Sequence, residues 1–233
     1  MTDFTGKIAL VSGASRGLGF AVGKSLSLSG AQVLALARTV GGLEELDDAI
    51  GEAGGVKPVL IPADITDESA VQGLTDPLAG RFGHVDLWVH TAVYAPPLSP
   101  AEHMDPRDLD RSIATNLAAV ERLILAVDPL LRRAPAGRAV FFDDPVADGV
   151  HAAYSAAKAG SAALVRAWGQ SLSRTSPARV LVATPPPMHT AVRGRFHPGE
   201  PKDGLAHPRD VAARLLAHLA AGADSDVDLA AVP

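Results

Sequence analysis

Short runs of consecutive apolar residues alternate along this chain with longer segments whose apolar positions recur every three or four residues. The short runs are Ile8–Ser12, Val33–Ala37, Val56–Ile61, Leu87–Thr91, Ala139–Phe142, Val180–Ala183 and Asp228–Val232. Being nearly continuous rather than alternating, they predict strands buried on both faces. The helical period marks segments near 17–29, 42–53, 67–82, 107–133, 152–175 and 208–221. Gly30 and Gly222 stand just past two of these patterns as stop signals, and Pro208 opens the last one where a first-turn proline is tolerated. Strands that alternate with helices predict a doubly wound parallel α/β sheet with helices on both faces. No composition shift marks a linker, so residues 1–233 are expected to form a single domain. The stretch 185–207 has neither period and is too long for an ordinary connection; it reads as a lid or substrate loop.

Composition narrows the function classes. Of the 233 residues 47% are hydrophobic and 20% charged, enough apolar material for a sizeable core. The net charge of −5, with no basic stripe interleaved with aromatics, argues against a nucleic-acid partner. Apolar runs of four or five residues are too short to span a bilayer, so no membrane partner is expected. Met1–Lys7 reads straight into a strand without a charged region or a long apolar region ahead of it, and the cytoplasm is the expected location. The chain has no cysteine, which removes disulfides, thiolate metal sites and a cysteine nucleophile; no metal is expected.

The first strand ends in Ser12-Gly13-Ala14-Ser15-Arg16-Gly17-Leu18-Gly19 and runs directly into an apolar helix. In that setting glycines allow a tight turn, close approach to a pyrophosphate and close packing of helix on sheet, with the helix N-terminus facing the anion. Further on, Tyr154 and Lys158 lie four residues apart and share a helix face. The surrounding segment is rich in alanine, and lysine is scarce, with five copies against 16 arginines. A phenol with a pKa of about 10 is a poor acid–base catalyst at neutral pH, and a neighbouring ammonium favours its phenolate. Where a dinucleotide fold for NAD carries an acid on the ribose 2′-hydroxyl, this chain has Ala37-Arg38-Thr39. Arg38, together with Arg16 in the glycine loop, is suited to a 2′-phosphate, which favours NADP(H).

The G-x-x-x-G-x-G spacing closely resembles that of the short-chain dehydrogenase/reductase family, whose fold is Rossmann-like. Asp64 in Ala63-Asp64-Ile65 resembles the aspartate that contacts adenine, Asn116 the catalytic asparagine, and Tyr154-Ser155-Ala156-Ala157-Lys158 the Y-x-x-x-K motif. The resemblance runs from about residue 5 to residue 222. It implies that Asn116, Tyr154 and Lys158 are catalytic. Tyr154 then exchanges the proton with the substrate oxygen, Lys158 also holds the nicotinamide ribose, and Asn116 disturbs its helix locally and holds a water in a relay to the lysine. It further implies a cofactor site made of Gly13, Ser15, Arg16, Gly17, Leu18, Gly19, Arg38, Thr39, Asp64, Ile65, Ala92, Tyr154, Lys158 and Thr190. Segments 107–133 and 152–175 resemble the helices through which the family assembles, so a homodimer or homotetramer is expected.

The pattern departs from the family in three places. Where the family has Asn-Asn-Ala-Gly this chain has His90-Thr91-Ala92-Val93, and Val93 adopts positive φ less readily than glycine. His90 is either a functional donor or, the expectation adopted, a core histidine satisfied by the backbone. The family serine about a dozen residues before the tyrosine is missing; Phe141-Phe142-Asp143-Asp144-Pro145 stands there instead. A protonated Asp144 is able to donate to the reacting oxygen, but the expectation adopted is that both aspartates point away and form a turn or cap. In Pro185-Pro186-Pro187-Met188-His189-Thr190, Thr190 matches a threonine on the nicotinamide carboxamide, while Arg193, Arg195 and His197 beyond it read as solvated loop charges. The expected activity is NADP(H)-dependent interconversion of a carbonyl and an alcohol on a small molecule. The alternative is a relative without redox turnover, a nucleotide-binding sensor or scaffold or a catalyst of non-redox proton transfer through Tyr154.

Overall fold

A computed structural model describes residues 2–144, 146 and 148–232; Met1 and Pro145, both quoted above, lie outside them. Among the described residues seven strands form one parallel sheet: β1 (Ile8–Ser12), β2 (Gln32–Ala37), β3 (Val59–Pro62), β4 (Leu87–His90), β5 (Arg138–Phe142), β6 (Arg179–Thr184) and β7 (Val227–Asp228). Their spatial order is β3-β2-β1-β4-β5-β6-β7. The strand order reverses between β1 and β4, and ligands of such sheets bind outside the carboxyl ends of the strands at that point.

Successive residues of the strands enter opposite layers. Ala9, Val11, Val33 and Ala35 pack under α1 (Gly17–Leu28), α2 (Val40–Glu52) and α9 (Pro208–Ala220), whereas Leu10, Leu34, Leu36 and Trp88 fill the other face. That second face is covered by α6 (Ala119–Arg133) and α7 (Ala152–Thr175). Each of these fully buried leucines contributes about 1.5–3 kcal/mol relative to exposure. The two-sided burial explains why the strands read as unbroken apolar runs.

Where the elements differ from the sequence reading, backbone chemistry supplies the reason. The expected strand from Val56 starts at Val59, because Pro58 has no N–H for the ladder; Val59 pairs with Leu34. The last strand is Val227–Asp228 rather than Asp228–Val232: Leu229 N–H bonds Thr184 O at 2.9 Å, and Ala231 N–H then turns back to Asp228 O. The helix expected over 67–82 is two, α3 (Glu68–Gln72) and α4 (Thr75–Phe82). An unbroken helix would put Pro77 in its interior against the Gly73 carbonyl; the break leaves Pro77 in a first turn, where its missing N–H costs nothing. The long helix over 107–133 divides into α5 (Pro106–Ile113), a π-helical turn Ala114–Ala118, and α6. The 185–207 stretch contains a helix of its own, α8 (Ala191–Phe196), capped by Thr190 Oγ1, which accepts the Arg193 N–H at 3.2 Å.

Candidate active site

The turn from β1 to α1 is shaped by glycine. Gly13 has φ +91°, and a Cβ there would lie 2.5 Å from Ala92 N. A Cβ on Gly19 would lie 2.2 Å from Gly13 O, so only glycine lets α1 begin against the turn. Thr91 fastens this packing: its N–H bonds Ser12 O at 2.7 Å, and its hydroxyl donates to Ser12 O at 3.0 Å and to Gly13 O at 3.3 Å. Sequence reading passed over Thr91 because it stands where the family motif has a different residue. No side chain caps the N-terminus of α1, and its first turn carries no acid, leaving it open to an anion.

A cavity of about 970 Å³ opens from this turn across the strand ends. Gly13, Ser15, Arg16, Gly17, Leu18, Gly19, Arg38, Thr39, Asp64, Ile65, Ala92, Asn116, Lys158 and Thr190 all line it. Tyr154 is the predicted site residue that does not. At one end Asp64 Oδ1 accepts from the N–H and hydroxyl of Thr66 at 2.9 and 2.7 Å, while Arg38 lies 3.6 Å from Oδ2. Burial works to raise the Asp64 carboxyl, but the Thr66 bonds and Arg38 outweigh it and hold the group below the usual range. Arg38 remains 70% exposed and Arg16 stands on the same wall, so two guanidinium groups flank the mouth of the nucleotide half.

At the other end, Lys158 is buried on α7 and donates to Phe142 O at 2.5 Å. Burial lowers its ammonium from the ordinary value, against the opposing pull of Asp144 and Asp143. Tyr154, one turn earlier, is 2% exposed and donates its hydroxyl to Asp144 Oδ2 at 3.0 Å. Burial, then the Asp144 charge and hydrogen bond, then Asp143, push the phenol well above its ordinary value. The expectation that both aspartates turn away is therefore overturned for Asp144, which faces the cavity and holds the tyrosine proton. The signal is its place ten residues before Tyr154, near where the family has its serine. Asp143 does bond locally: its Oδ1 accepts the Asp144 N–H at 3.0 Å, and Arg166 lies 3.5 Å from Oδ2.

Asn116 sits in the π-helical turn, buried. Its Oδ1 accepts Tyr94 N–H at 2.8 Å, and its Nδ2 donates to Tyr94 O at 2.8 Å and Ser112 Oγ at 3.1 Å. Both amide hydrogens are engaged, so this side chain ties the segment after β4 to the α5–α6 unit. His90 Nδ1 lies 2.8 Å from Ser12 Oγ, which accepts Trp88 Nε1–H at 3.0 Å. The histidine is thus satisfied by a side chain rather than by the backbone; burial, then the Lys158 charge, lower it to about 3 and keep it neutral. Among the described residues no residue other than glycine has positive φ, so Val93 follows a backbone path without that strain.

Phe196, at the end of α8, roofs the tyrosine. Its ring stands edge-on to Tyr154 with centroids 4.8 Å apart and to His151 at 4.6 Å. Arg193, expected as a solvated charge, instead clamps the loop through two bonds to Glu200, Nε–Oε2 at 2.7 Å and Nη2–Oε1 at 2.5 Å. Arg195 and His197 face the cavity.

Comparison with known proteins decides the ancestry of this arrangement. The family model described as short chain dehydrogenase matches residues 7–201. The chain belongs to the short-chain dehydrogenase family. It is 33% identical over 161 residues to the 3-oxoacyl-[acyl-carrier-protein] reductase FabG of Escherichia coli, covering 68% of this chain and 64% of that protein. It is also 33% identical over 171 residues to the D-threitol dehydrogenase of Mycolicibacterium smegmatis, covering 70% and 65%. The match thus spans a little under two-thirds of the length of either relative. Among solved structures, a short chain dehydrogenase from Shigella flexneri complexed with NADP superposes with a TM-score of 0.92 at 23% identity, covering 99% of this chain and 100% of that one. One from Pseudomonas syringae gives 0.91 at 24%, covering 98% and 96%. At those identities the likeness is one of fold.

A short-chain dehydrogenase works with a nicotinamide dinucleotide, and the residues of this chain fit one. The Gly13 and Gly19 positions exclude a Cβ, the cavity runs past the uncapped N-terminus of α1, and no acid occupies position 37. Thr190 brings the loop to within 3.7 Å of where a Gly17 side chain would begin, closing the cradle from the other side.

Proposed function

We propose that this chain is an NADP(H)-dependent oxidoreductase that interconverts a carbonyl and an alcohol on a small-molecule substrate. The observation that carries the reading is the buried Lys158 ammonium, one helical turn after Tyr154, on the wall of the same cavity as the glycine cradle. A charge buried without a role costs several kcal/mol, and the role assigned to this one is to hold the nicotinamide ribose. The glycine turn with Ser15 and Leu18 is assigned to the pyrophosphate, Arg16, Arg38 and Thr39 to the 2′-phosphate, Asp64 and Ile65 to the adenine side, and Ala92, Lys158 and Thr190 to the nicotinamide end. The relative solved with NADP supports that coenzyme.

When bound, the coenzyme supplies or takes up the hydride. Tyr154 exchanges the proton with the substrate oxygen. Lys158, held by Phe142 O, keeps positive charge beside the reacting centre. Asn116 fixes the segment after β4 through Tyr94, and a relay water to Lys158 belongs next to it. Segment 185–207 covers the substrate, the chain works in the cytoplasm as one domain, and the exposed apolar side chains Ile113 and Leu125 on α5 and α6 suit assembly into a homodimer or homotetramer.

The test is NADPH consumption with a panel of ketones and quinones, alongside binding titrations of NADPH and NADH. Consumption supports the reading. Tight binding with no consumption across the panel favours a relative without redox turnover, a reading that the engagement of the Tyr154 hydroxyl by Asp144 supports.

A further inference from the structure

The Tyr154 hydroxyl has one hydrogen, and in this molecule it points at a carboxylate. Lys158, four residues on, is engaged by a backbone carbonyl, and the nearest negative charge to the phenol is Asp144. Under these conditions a free phenolate is disfavoured, because burial and a neighbouring anion both oppose it. A tyrosine that keeps its proton can still pass one on, provided that it receives a proton on oxygen as it releases its own. Asp144 is placed to take it. The two groups also differ in access: Asp144 lines the cavity, whereas Tyr154 is roofed by Phe196 and shut off from it. The group able to exchange protons with water in the cavity is the aspartate.

Resting on the oxidoreductase reading above, we propose that Asp144 is the proton terminus of the reaction, with Tyr154 as the bridge between it and the substrate oxygen. In the oxidising direction the C–H electron pair leaves as hydride to the oxidised nicotinamide. The substrate O–H proton moves to Tyr154 Oη, and the original Tyr154 proton moves to Asp144 Oδ2. The products are a carbonyl, a phenol and a neutral carboxylic acid, which then loses its proton to water. In the reducing direction Asp144 takes a proton from water, passes it to Tyr154, and Tyr154 protonates the oxygen that receives the hydride on its carbon. An aspartate thereby replaces the missing serine with a different chemistry: the serine position donates a hydrogen bond, and this one stores a proton. Catalysis through such a pair requires Phe196 to swing aside as the substrate enters, so that its oxygen meets Tyr154.

Two measurements on the full chain test the proposal. The protein has two tyrosines, Tyr94 and Tyr154, so tyrosine labelled with carbon-13 at Cζ gives two NMR signals, assigned with Tyr94→Phe. A working terminus must take up a proton while the protein is folded. The Tyr154 signal should therefore shift with a one-proton transition as the folded protein is titrated with acid, and Asp144→Asn should abolish that transition. The other titratable and charged groups around the pair are Asp143 just after β5, Lys158 on α7, Arg193 on α8, His151 at the start of α7, whose ring packs on Phe196, and His197 after α8. All five remain in the variant, so a transition that persists in Asp144→Asn belongs to them and overturns the proposal, as does a wild-type signal that does not move.

The second measurement uses whichever carbonyl the panel identifies. Asp144→Asn keeps the size and a hydrogen-bond acceptor but cannot store a proton; kcat should fall about 10²-fold or more with KM little changed. The solvent isotope effect should pass from a two-proton to a one-proton inventory. If Asp144→Asn stays within about threefold of wild type while Tyr154→Phe is inactive, Asp144 is not the terminus and the oxidoreductase reading survives. If Tyr154→Phe itself retains turnover, that reading falls and the proposal with it.

Discussion

The two halves of the cavity are built by different means. On the side assigned to the nucleotide, β1, α1 and β2 create the cradle with backbone: Gly13 and Gly19 stand where no Cβ fits, and an open helix end and two arginines lie beside it. On the substrate side, side chains carried by four separate segments meet in three dimensions. Asp144 follows β5, Tyr154 and Lys158 come from α7, Asn116 from the π-helical turn, and Phe196 from α8. A backbone cradle tolerates few changes and binds one class of ligand. On a wall of convergent side chains an aspartate stands near where the family pattern has a serine, and the fold stays as it was.

The largest expected effect lies on the substrate side. Tyr154→Phe keeps the ring packing against Phe196 but removes the proton carrier, so turnover should fall at least about 10²-fold with the NADPH dissociation constant nearly unchanged. Steady-state kinetics and a binding titration check both halves of that statement. The matching test on the nucleotide side is Gly13→Ala. The added methyl meets Ala92 N at 2.5 Å in a backbone of φ +91°, so binding of NADPH should weaken by more than about tenfold and the melting temperature should drop, overpacking of this kind costing about 1–3 kcal/mol. Should Tyr154→Phe weaken binding as much as Gly13→Ala does, the division between the halves would be wrong.

Arg38→Ala sharpens the comparison from within the nucleotide half. Charge-assisted bonds to a phosphate are worth about 1.5–3 kcal/mol, and Arg38, 70% exposed, should give the lower end. We expect the preference for NADPH over NADH to fall about tenfold, with NADH binding little altered. An unchanged ratio of the two dissociation constants would move the phosphate to another part of the cavity.

The difference between the halves also explains what was legible in the sequence. The glycine turn, Arg16, Arg38 and Asp64 lie in contiguous stretches at strand ends, where local backbone demands choose the residue; they were readable and meet in one cavity. The strands themselves were visible because burial on both faces leaves an unbroken apolar signature. Asp144, ten positions before Tyr154, was within reach of the sequence but was assigned to a turn; Thr91 and Phe196 were passed over because their roles depend on contacts at a distance. Thr91 reaches Gly13 O across 78 positions and Phe196 reaches Tyr154 across 42, separations that no local pattern encodes. The helix in 185–207 escaped notice because six residues with three apolar positions, two of them adjacent, cannot display a period.

His90 stands where the two halves meet, and its effect is the smallest at neutral pH. Its neutral imidazole is bonded to Ser12 Oγ, and burial, then the Lys158 charge, lower its value from 6.5 to about 3. Between those limits the unfolded chain binds a proton at this residue and the folded chain does not. Unfolding therefore takes up a proton, and stability rises with pH across that window and is flat above about 6.5. The contribution is complete at pH 7 and is lost as the pH falls, with a slope of at most about 1.4 kcal/mol per pH unit from this one group. His90→Asn should cost about 1–2 kcal/mol at pH 7 through imperfect packing around Ser12 and Trp88, and it should flatten the pH dependence of stability below 6.5 relative to wild type. Denaturant melts of both proteins between pH 7.5 and 4.5 measure that slope. Equal slopes would mean that the imidazole becomes charged in the folded state and that Ser12 and Lys158 do not hold it neutral.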